Sequence, residues 1–322
     1  MKRILVTVTV ACAMAASVTF AQTKWDMPTG YSVGSFQTQN VQQFANDVEK
    51  ATGGKLKITL HASGSLFKAN EIKRAVQTGQ TQAGEFIISG AANENALFGI
   101  DSIPFLATSY EDARKLHNAS KALIEKTLAS QGMKVLFSSP WPGQSLYSLK
   151  PVNSAKDLAG TKMRAYNPAT SRIAVLLKAQ PTTIQLAELG QALATGTVEN
   201  FLTSSASGVE NKLFEQVKNL YTVNAWLPKN LIVVNQKAFD ALDKATQDAV
   251  VKAAGEAEMR GWTTSQQKDD EYLKELAAKG MKVSPPSAEL KKELLAIGET
   301  MTQEWLKSTG AEGQAIVDAY RK

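Results

Sequence analysis

Only one cysteine and two histidines occur in 322 residues, and these scarcities remove whole classes of function. Cys12 sits in an N-terminal stretch that reads as a leader, so the chain beyond it has neither a disulfide nor a thiolate nucleophile. His61 and His117 have no partner at metal-ligand spacing, which removes a histidine-based zinc site. His117 reads as a solvated residue on the polar side of a helix. No G-x-S-x-G elbow, P-loop, G-x-G-x-x-G or H-E-x-x-H motif occurs, so neither an enzyme nor a cofactor is expected. Gly53-Gly54 reads as a helix stop before a strand, not as a phosphate cradle. The acidic pairs Asp269-Asp270 and Glu256/Glu258 read as exposed faces of a helix. Charge of one sign is never concentrated: the formal net charge of +6 is spread among both signs. Without a basic stripe or an RNA-binding motif, nucleic acid is not a partner, although a mild positive field attracts anionic solutes.

Long hydrophobic runs are missing after residue 21, so no later segment is expected to span a bilayer. Residues 1–21 read as a secretory signal. Lys2 and Arg3 form a charged start, Ile4 to about Ala16 is apolar or small, and Thr19-Phe20-Ala21 offers small residues for cleavage after Ala21. That places the chain in the periplasm. A membrane anchor and a lipoprotein modified at Cys12 are the alternative readings of the same stretch.

What remains is an ordinary soluble composition, 43% hydrophobic and 20% charged, in a chain long enough for two domains. Strand and helix patterns alternate, predicting an α/β architecture. Val41, Phe44, Ala45 and Val48 share a helical face; Leu56, Ile58 and Leu60 alternate as a strand. Further strands are expected at 86–88, 135–137, 146–149, 162–166 and 231–234. Helices are expected at 70–78, from Ser109 with Asp112 as a capping box, at 169–178 and at 186–193. From Lys244 to Lys279 no proline occurs, which predicts one helix of about 35 residues and about 50 Å. Such a helix is long enough to cross two domains; two helices broken near Gly261 are the alternative.

Arg164 is the most informative residue, in DLAGTKMRAYNPATS (157–171). Alternation puts Lys162, Arg164 and Tyr166 on one strand face and Met163 on the other. A guanidinium at a strand end facing a cleft can hold a carboxylate with two parallel hydrogen bonds. The segment LAGTKMR, then NPATSRIAVLLKAQPTTIQLAELGQALATGTVEN, resembles the signature of the solute receptors of TRAP (tripartite ATP-independent periplasmic) transporters, the DctP family. FANDVEKATGGKLKITL, AVQTGQTQAG, IPFLATSYEDA and LIVVNQKAFDAL extend the likeness over nearly all of the chain after the leader.

The resemblance implies a two-lobed periplasmic-binding-protein fold with a long helix bridging both lobes. Lobe I is expected from 22–142 with 231–269, and lobe II from 143–230 with 270–322. It further implies a monomeric receptor that captures a small carboxylate by cleft closure and delivers it to the small and large membrane subunits of a transporter. Arg164 matches the arginine that pairs with the ligand carboxylate. Thr203 stands in place of a family asparagine, with Asn200 as the nearby alternative. Tyr31, and less directly Ser32, belong to the first loop that touches ligand. Tyr166 stands where many members have proline. Trp141, Trp226 and Asn230 flank the lobe crossings, and Phe201 either lines the cleft or fills a core. Ser145 stands where the sialic-acid branch has a second arginine, which favours a monocarboxylate: a hydroxy, oxo or sugar acid. A C4-dicarboxylate or aromatic acid remains the alternative, with Arg172, Lys162 or Lys68 as the second cation; a sensory role is the other alternative.

Overall fold

A computed structural model describes residues 22–322; the leader and Cys12 lie outside the described residues. The first elements are β1 (Thr23–Pro28), α1 (Phe36–Ala51), β2 (Leu56–His61), α2 (Ile72–Gln77), β3 (Ala83–Ile87), α3 (Tyr110–Ser130) and β4 (Met133–Pro140). Next come β5 (Ser145–Ser148), β6 (Lys162–Ala165), α4 (Pro168–Leu176), β7 (Gln180–Thr183), α5 (Leu189–Ala194), β8 (Asn200–Thr203), α6 (Ser205–Glu210) and β9 (Asn219–Tyr221). The last are β10 (Lys229–Asn235), α7 (Gln236–Asp240), α8 (Lys244–Ala278), β11 (Lys282–Ser284) and α9 (Ala288–Tyr320). Helix starts carry the side chains that satisfy free backbone N–H groups: Ser35, Ser109, Asn167, Asp243 and Ser287 each accept from the first turn.

The lobes are built on separate sheets. In the first, β10 lies between β3 and β4, antiparallel to both, beside a parallel β1–β2 pair. Strand alternation sorts its core onto two faces. Leu231 and Val233 pack with Ile72, Phe98, Leu116 and Leu128; Ile232 and Val234 pack with Phe44, Val48, Val250 and Ala254. The second sheet runs β11-β9-β5-β8-β6-β7. Leu146, Met163 and Leu202 face α4 and the start of α9 on one side; Tyr147, Phe201 and Leu220 face α5 and the end of α8 on the other.

Helix α8 is continuous over 35 residues, a rod of about 50 Å. It begins on the first core through Val250, Ala254 and Ala257 and ends on the second through Leu276. Gly261 does not break it. A Cβ there would stand 2.5 Å from Ser139 Oγ and 2.8 Å from Asn40 Nδ2, so glycine lets the helix lie against β4 and α1. The exposed faces expected on this helix are only partly exposed. Glu258 is 3.3 Å from His117 and accepts from Ser138 Oγ, and Asp269 accepts from Ser205 Oγ. His117 is itself buried against Trp262, not solvated; burial lowers its pKa, opposed by Glu258. Helix α9, kinked at Gly310 where the backbone leaves the helical region, also serves both lobes: Leu290 and Leu294 lie in the second core, while Trp305, before the kink, and Ile316 and Val317, after it, lie in the first. We therefore propose a lobe boundary within α9, rather than leaving all of 270–322 in lobe II. No described helix is long and apolar enough to cross a membrane.

Candidate functional site

The chain crosses between lobes after β4 and before β10, and the two crossings are stitched together. Trp141 N–H donates to Pro228 O at 2.8 Å, Gln144 N–H to Trp226 O at 2.9 Å, and Ala225 N–H to Gln144 O at 2.9 Å. In front of this double strand a cavity of about 340 Å³ opens between the lobes, inside the range of roughly 300–1,000 Å³ typical of small-molecule sites. Tyr31, Lys68 and Glu85 line it from the first lobe, Trp141 and Gln144 from the crossing, and Arg164, Tyr166, Gln185 and Thr203 from the second lobe.

Strand β6 sends Met163 into the second core and Arg164 to the opposite face, toward the cavity. Arg164 is 4% exposed. Its Nε donates to Ile184 O at 2.9 Å, and its guanidinium carbon lies 5.1 Å from the Tyr166 ring centre. Among the described residues its terminal nitrogens have no acceptor and it makes no ion pair. The other buried cations are matched: Lys73 with Glu94 at 2.6 Å and Lys229 with Asp101 at 3.3 Å. Desolvation pulls the Arg164 pKa from the ordinary arginine range down to about 10, which still leaves it charged at neutral pH. The arrangement is a preset, desolvated anion site with two free N–H-bearing nitrogens facing a cavity.

The facing wall carries a buried carboxylate. Glu85, in β3, is 0% exposed. Its Oε2 accepts from Thr29 Oγ1 at 2.5 Å and its Oε1 from Asn230 Nδ2 at 2.8 Å. Asn230 Oδ1 accepts from Tyr31 Oη and from Trp141 Nε1, both at 3.0 Å, which fixes which way the amide points. Tyr31 meets Trp141 edge-on at 4.9 Å between ring centres, and Phe36 packs on the same indole at 5.4 Å. Desolvation raises the Glu85 pKa to about 7, against the lowering effect of its two donors. It raises those of Tyr31 and Tyr166 above the ordinary tyrosine range, so both are neutral hydroxyls. Tyr166 Oη donates to Gln144 Oε1 at 3.2 Å, tying the second-lobe wall to the crossing.

Of the residues expected from sequence, Arg164, Thr203, Tyr166, Tyr31 and Trp141 meet at this cavity. Three lie outside its wall. Asn200 is consumed within the sheet, accepting from Ser148 Oγ and donating to Thr161 Oγ1. Phe201 stacks on Tyr147 in the second core, 5.1 Å between ring centres. Ser145 turns its hydroxyl toward Asn224 Oδ1 at 3.5 Å. Asn230 acts behind the wall through Tyr31, Trp141 and Glu85, and Trp226 belongs to the second core. Among the other cations, Arg172 pairs with Glu304 on the surface and Lys162 caps the carbonyl of Gly196, while Lys68 is an exposed part of the cavity rim. Glu85, Gln144 and Gln185 are wall residues that sequence reasoning missed. For Glu85 a signal existed: a charge inside the apolar strand AGEFI is out of place unless it is used.

Comparison with known proteins gives a consistent picture. The profile of bacterial extracellular solute-binding protein, family 7 (DctP) matches residues 29–308. A Bordetella pertussis extracytoplasmic solute receptor binding pyroglutamic acid is 49% identical, with a TM-score of 0.91 over 93% of this chain and 99% of that one. A marine-metagenome TRAP solute-binding protein specific for pyroglutamate is 45% identical, with a TM-score of 0.92 over 94% of this chain and 99% of that one. The sialic acid-binding periplasmic protein of Vibrio cholerae is more distant, 21% identical over 88% of this chain and 89% of its own length.

Proposed function

This chain belongs to family 7 of the bacterial extracellular solute-binding proteins, and from that premise we propose that its solute is pyroglutamate or a closely related small cyclic monocarboxylate. The protein is an extracytoplasmic receptor of the TRAP type, which binds a carboxylate solute and works with the transporter's membrane subunits. The observation that carries the choice of solute is Arg164, among the described residues the single buried guanidinium, which has no counter-charge and lies on the wall of the cavity between the lobes. One such cation matches one carboxylate. A solute with two carboxylates would leave its second charge beside Glu85, and an uncompensated buried charge is costly. Relatives that are 49% and 45% identical over nearly the whole chain carry pyroglutamate, which supports the same class of ligand here.

In this reading the solute enters between the lobes and its carboxylate docks on the Nη atoms of Arg164. Tyr31, Trp141 and Tyr166 enclose an uncharged ring, and Thr203, Gln144 and Gln185 offer neutral hydrogen bonds. Closure is a hinge motion at the paired crossings 141–144 and 225–228. The solute favours the closed form only by its extra affinity for it, because Arg164 and the first-lobe wall act on the solute together only when the lobes meet. No step of chemistry on the solute enters this account: the cavity has a charge clamp and no nucleophile paired with a base. A thermal-shift panel on protein stripped of solute by unfolding and refolding tests the reading. A solute at a hundred times its dissociation constant stabilises by about 2.7 kcal/mol. Pyroglutamate is expected to give the larger shift, and succinate or malate exceeding it would refute the monocarboxylate assignment.

A further inference from the structure

We propose that Glu85 sets the receptor's selectivity by accepting a hydrogen bond from a ring N–H of the solute, on the flank of the ring next to the carboxylate that Arg164 clamps. The proposal rests on the pyroglutamate reading and adds to it the residue that would read the lactam N–H.

The argument begins with the cost of this carboxylate. Glu85 is fully buried in a strand whose neighbours, Ala83 and Phe86, are core residues. A carboxylate in such a place is unfavourable unless hydrogen-bonded, and an apolar residue of similar volume would serve the fold as well or better. Yet three separate segments are arranged around it: Thr29 after β1, Asn230 in β10, and through Asn230 both Tyr31 and Trp141. Ile232 is the cross-strand partner of Glu85, so Asn230, two residues away, shares its face at the cleft end of the sheet.

The geometry also fixes the sense of the missing bond. The amide of Asn230 is oriented by two donors on its oxygen, so its nitrogen must donate to Glu85 Oε1. Thr29 Oγ1 stands 2.5 Å from Oε2 and accepts the Tyr31 N–H at 3.3 Å, so its own hydrogen is free to point at the carboxylate. Glu85 is thus held as an acceptor on both oxygens. A carboxylate has about four acceptor positions, and two remain for a donor from the cavity it lines. Arg164 does not take them, since the two residues form no ion pair. A solute that carries a carboxylate for Arg164 and an N–H on the adjoining ring atom for Glu85 satisfies both. A solute presenting an ether oxygen or a second carboxylate sets lone pairs against lone pairs.

The test compares L-pyroglutamate with 5-oxotetrahydrofuran-2-carboxylate, the lactone in which oxygen replaces the N–H at nearly unchanged shape. Calorimetry is run on stripped wild-type protein and on Glu85→Gln. Measured at pH 8 or above, where Glu85 with its pKa raised to about 7 is ionised, a hydrogen bond to a charged acceptor predicts that wild type binds the lactone about 10- to 150-fold more weakly. Glu85→Gln keeps only a neutral acceptor and is expected to shrink that ratio to about 2- to 13-fold, with thermal stability at or above wild type. An unchanged ratio would overturn the role of the charge. Pyroglutamate binding with the lactone within threefold of it on wild type would overturn the role of Glu85 and leave the solute assignment standing. Absence of pyroglutamate binding would overturn both. Should Glu85→Gln fail to fold, the wild-type comparison alone decides, because it changes only the ligand.

Discussion

Replacing Arg164 with methionine should make the solute-free protein no less stable while removing tight binding. The methionine retains most of the length and apolar body of the arginine but no charge. At neutral pH the folded protein holds a guanidinium whose pKa has fallen from the ordinary arginine range to about 10 on burial, a penalty of roughly 3 kcal/mol. Against this stands the hydrogen bond from Nε to Ile184 O, worth about 1.5–3 kcal/mol for a charged donor. The net change expected in denaturant-induced unfolding is therefore between zero and about +2 kcal/mol in favour of the variant. The pH dependence has a definite sign. Above about pH 10 the unfolded chain keeps the proton that the folded chain has lost, so wild type gains stability on the variant as pH rises from there toward the ordinary arginine range. Binding moves the other way: loss of one partner of a buried charge pair costs about 2–5 kcal/mol, roughly 30-fold to several-thousand-fold in affinity. A variant destabilised by more than about 2 kcal/mol that still bound pyroglutamate within threefold of wild type would mean that Arg164 is a structural residue.

Three further outcomes follow from the same packing. Gly261→Ala places a methyl 2.5 Å from Ser139 Oγ where α8 lies on β4, and equilibrium unfolding should show a loss of about 1–3 kcal/mol; no loss would mean that the contact relaxes freely. Asn230→Leu removes the partner shared by Tyr31, Trp141 and Glu85 and should cost about 2–5 kcal/mol of stability as well as affinity; an intact melting temperature with unchanged binding would contradict the network. Glu210 accepts the Phe36 N–H across the lobes at 2.9 Å, near Ser35 and Tyr272 and within the field of Glu85, and burial raises its pKa to about 7. A raised carboxyl pKa favours folding at acid pH and loses that contribution as pH rises through about 7. Thermal unfolding from pH 5 to pH 8 should therefore show wild type losing ground to Glu210→Gln, and a pH-independent difference would rule the linkage out.

Much of this was legible in the sequence because it is local. Capping residues, two-residue alternation and a proline-free stretch of 35 residues report on neighbours within a turn or a strand, so β2 and α8 stand as read, and Ser109 caps α3, although Asp112 accepts from its hydroxyl rather than its backbone N–H as a full capping box requires. Arg164 was found because alternation in β6 opposes it to Met163 and because the surrounding motif resembles the family's clamp. The readings that shifted depend on what lies across space. Phe201 and Thr203 share a strand face, but only Thr203, at the strand end, reaches the cleft; Phe201 is roofed by Tyr147. His117 reads as polar on its own helix and is buried by Trp262 and Glu258 from α8. Glu85 was passed over because its partners, Thr29 and Asn230, lie 56 and 145 positions away. The return of α9 to the first core is likewise set by packing of Trp305, Ile316 and Val317, which no local pattern announces.

Calorimetric titration of L-pyroglutamate into wild-type protein stripped of solute, with Arg164→Met alongside, tests the central claim most directly. The account predicts one-to-one binding to wild type and a loss of at least about 30-fold in a folded variant. No binding by wild type at millimolar pyroglutamate, or equal binding by both proteins, would contradict it.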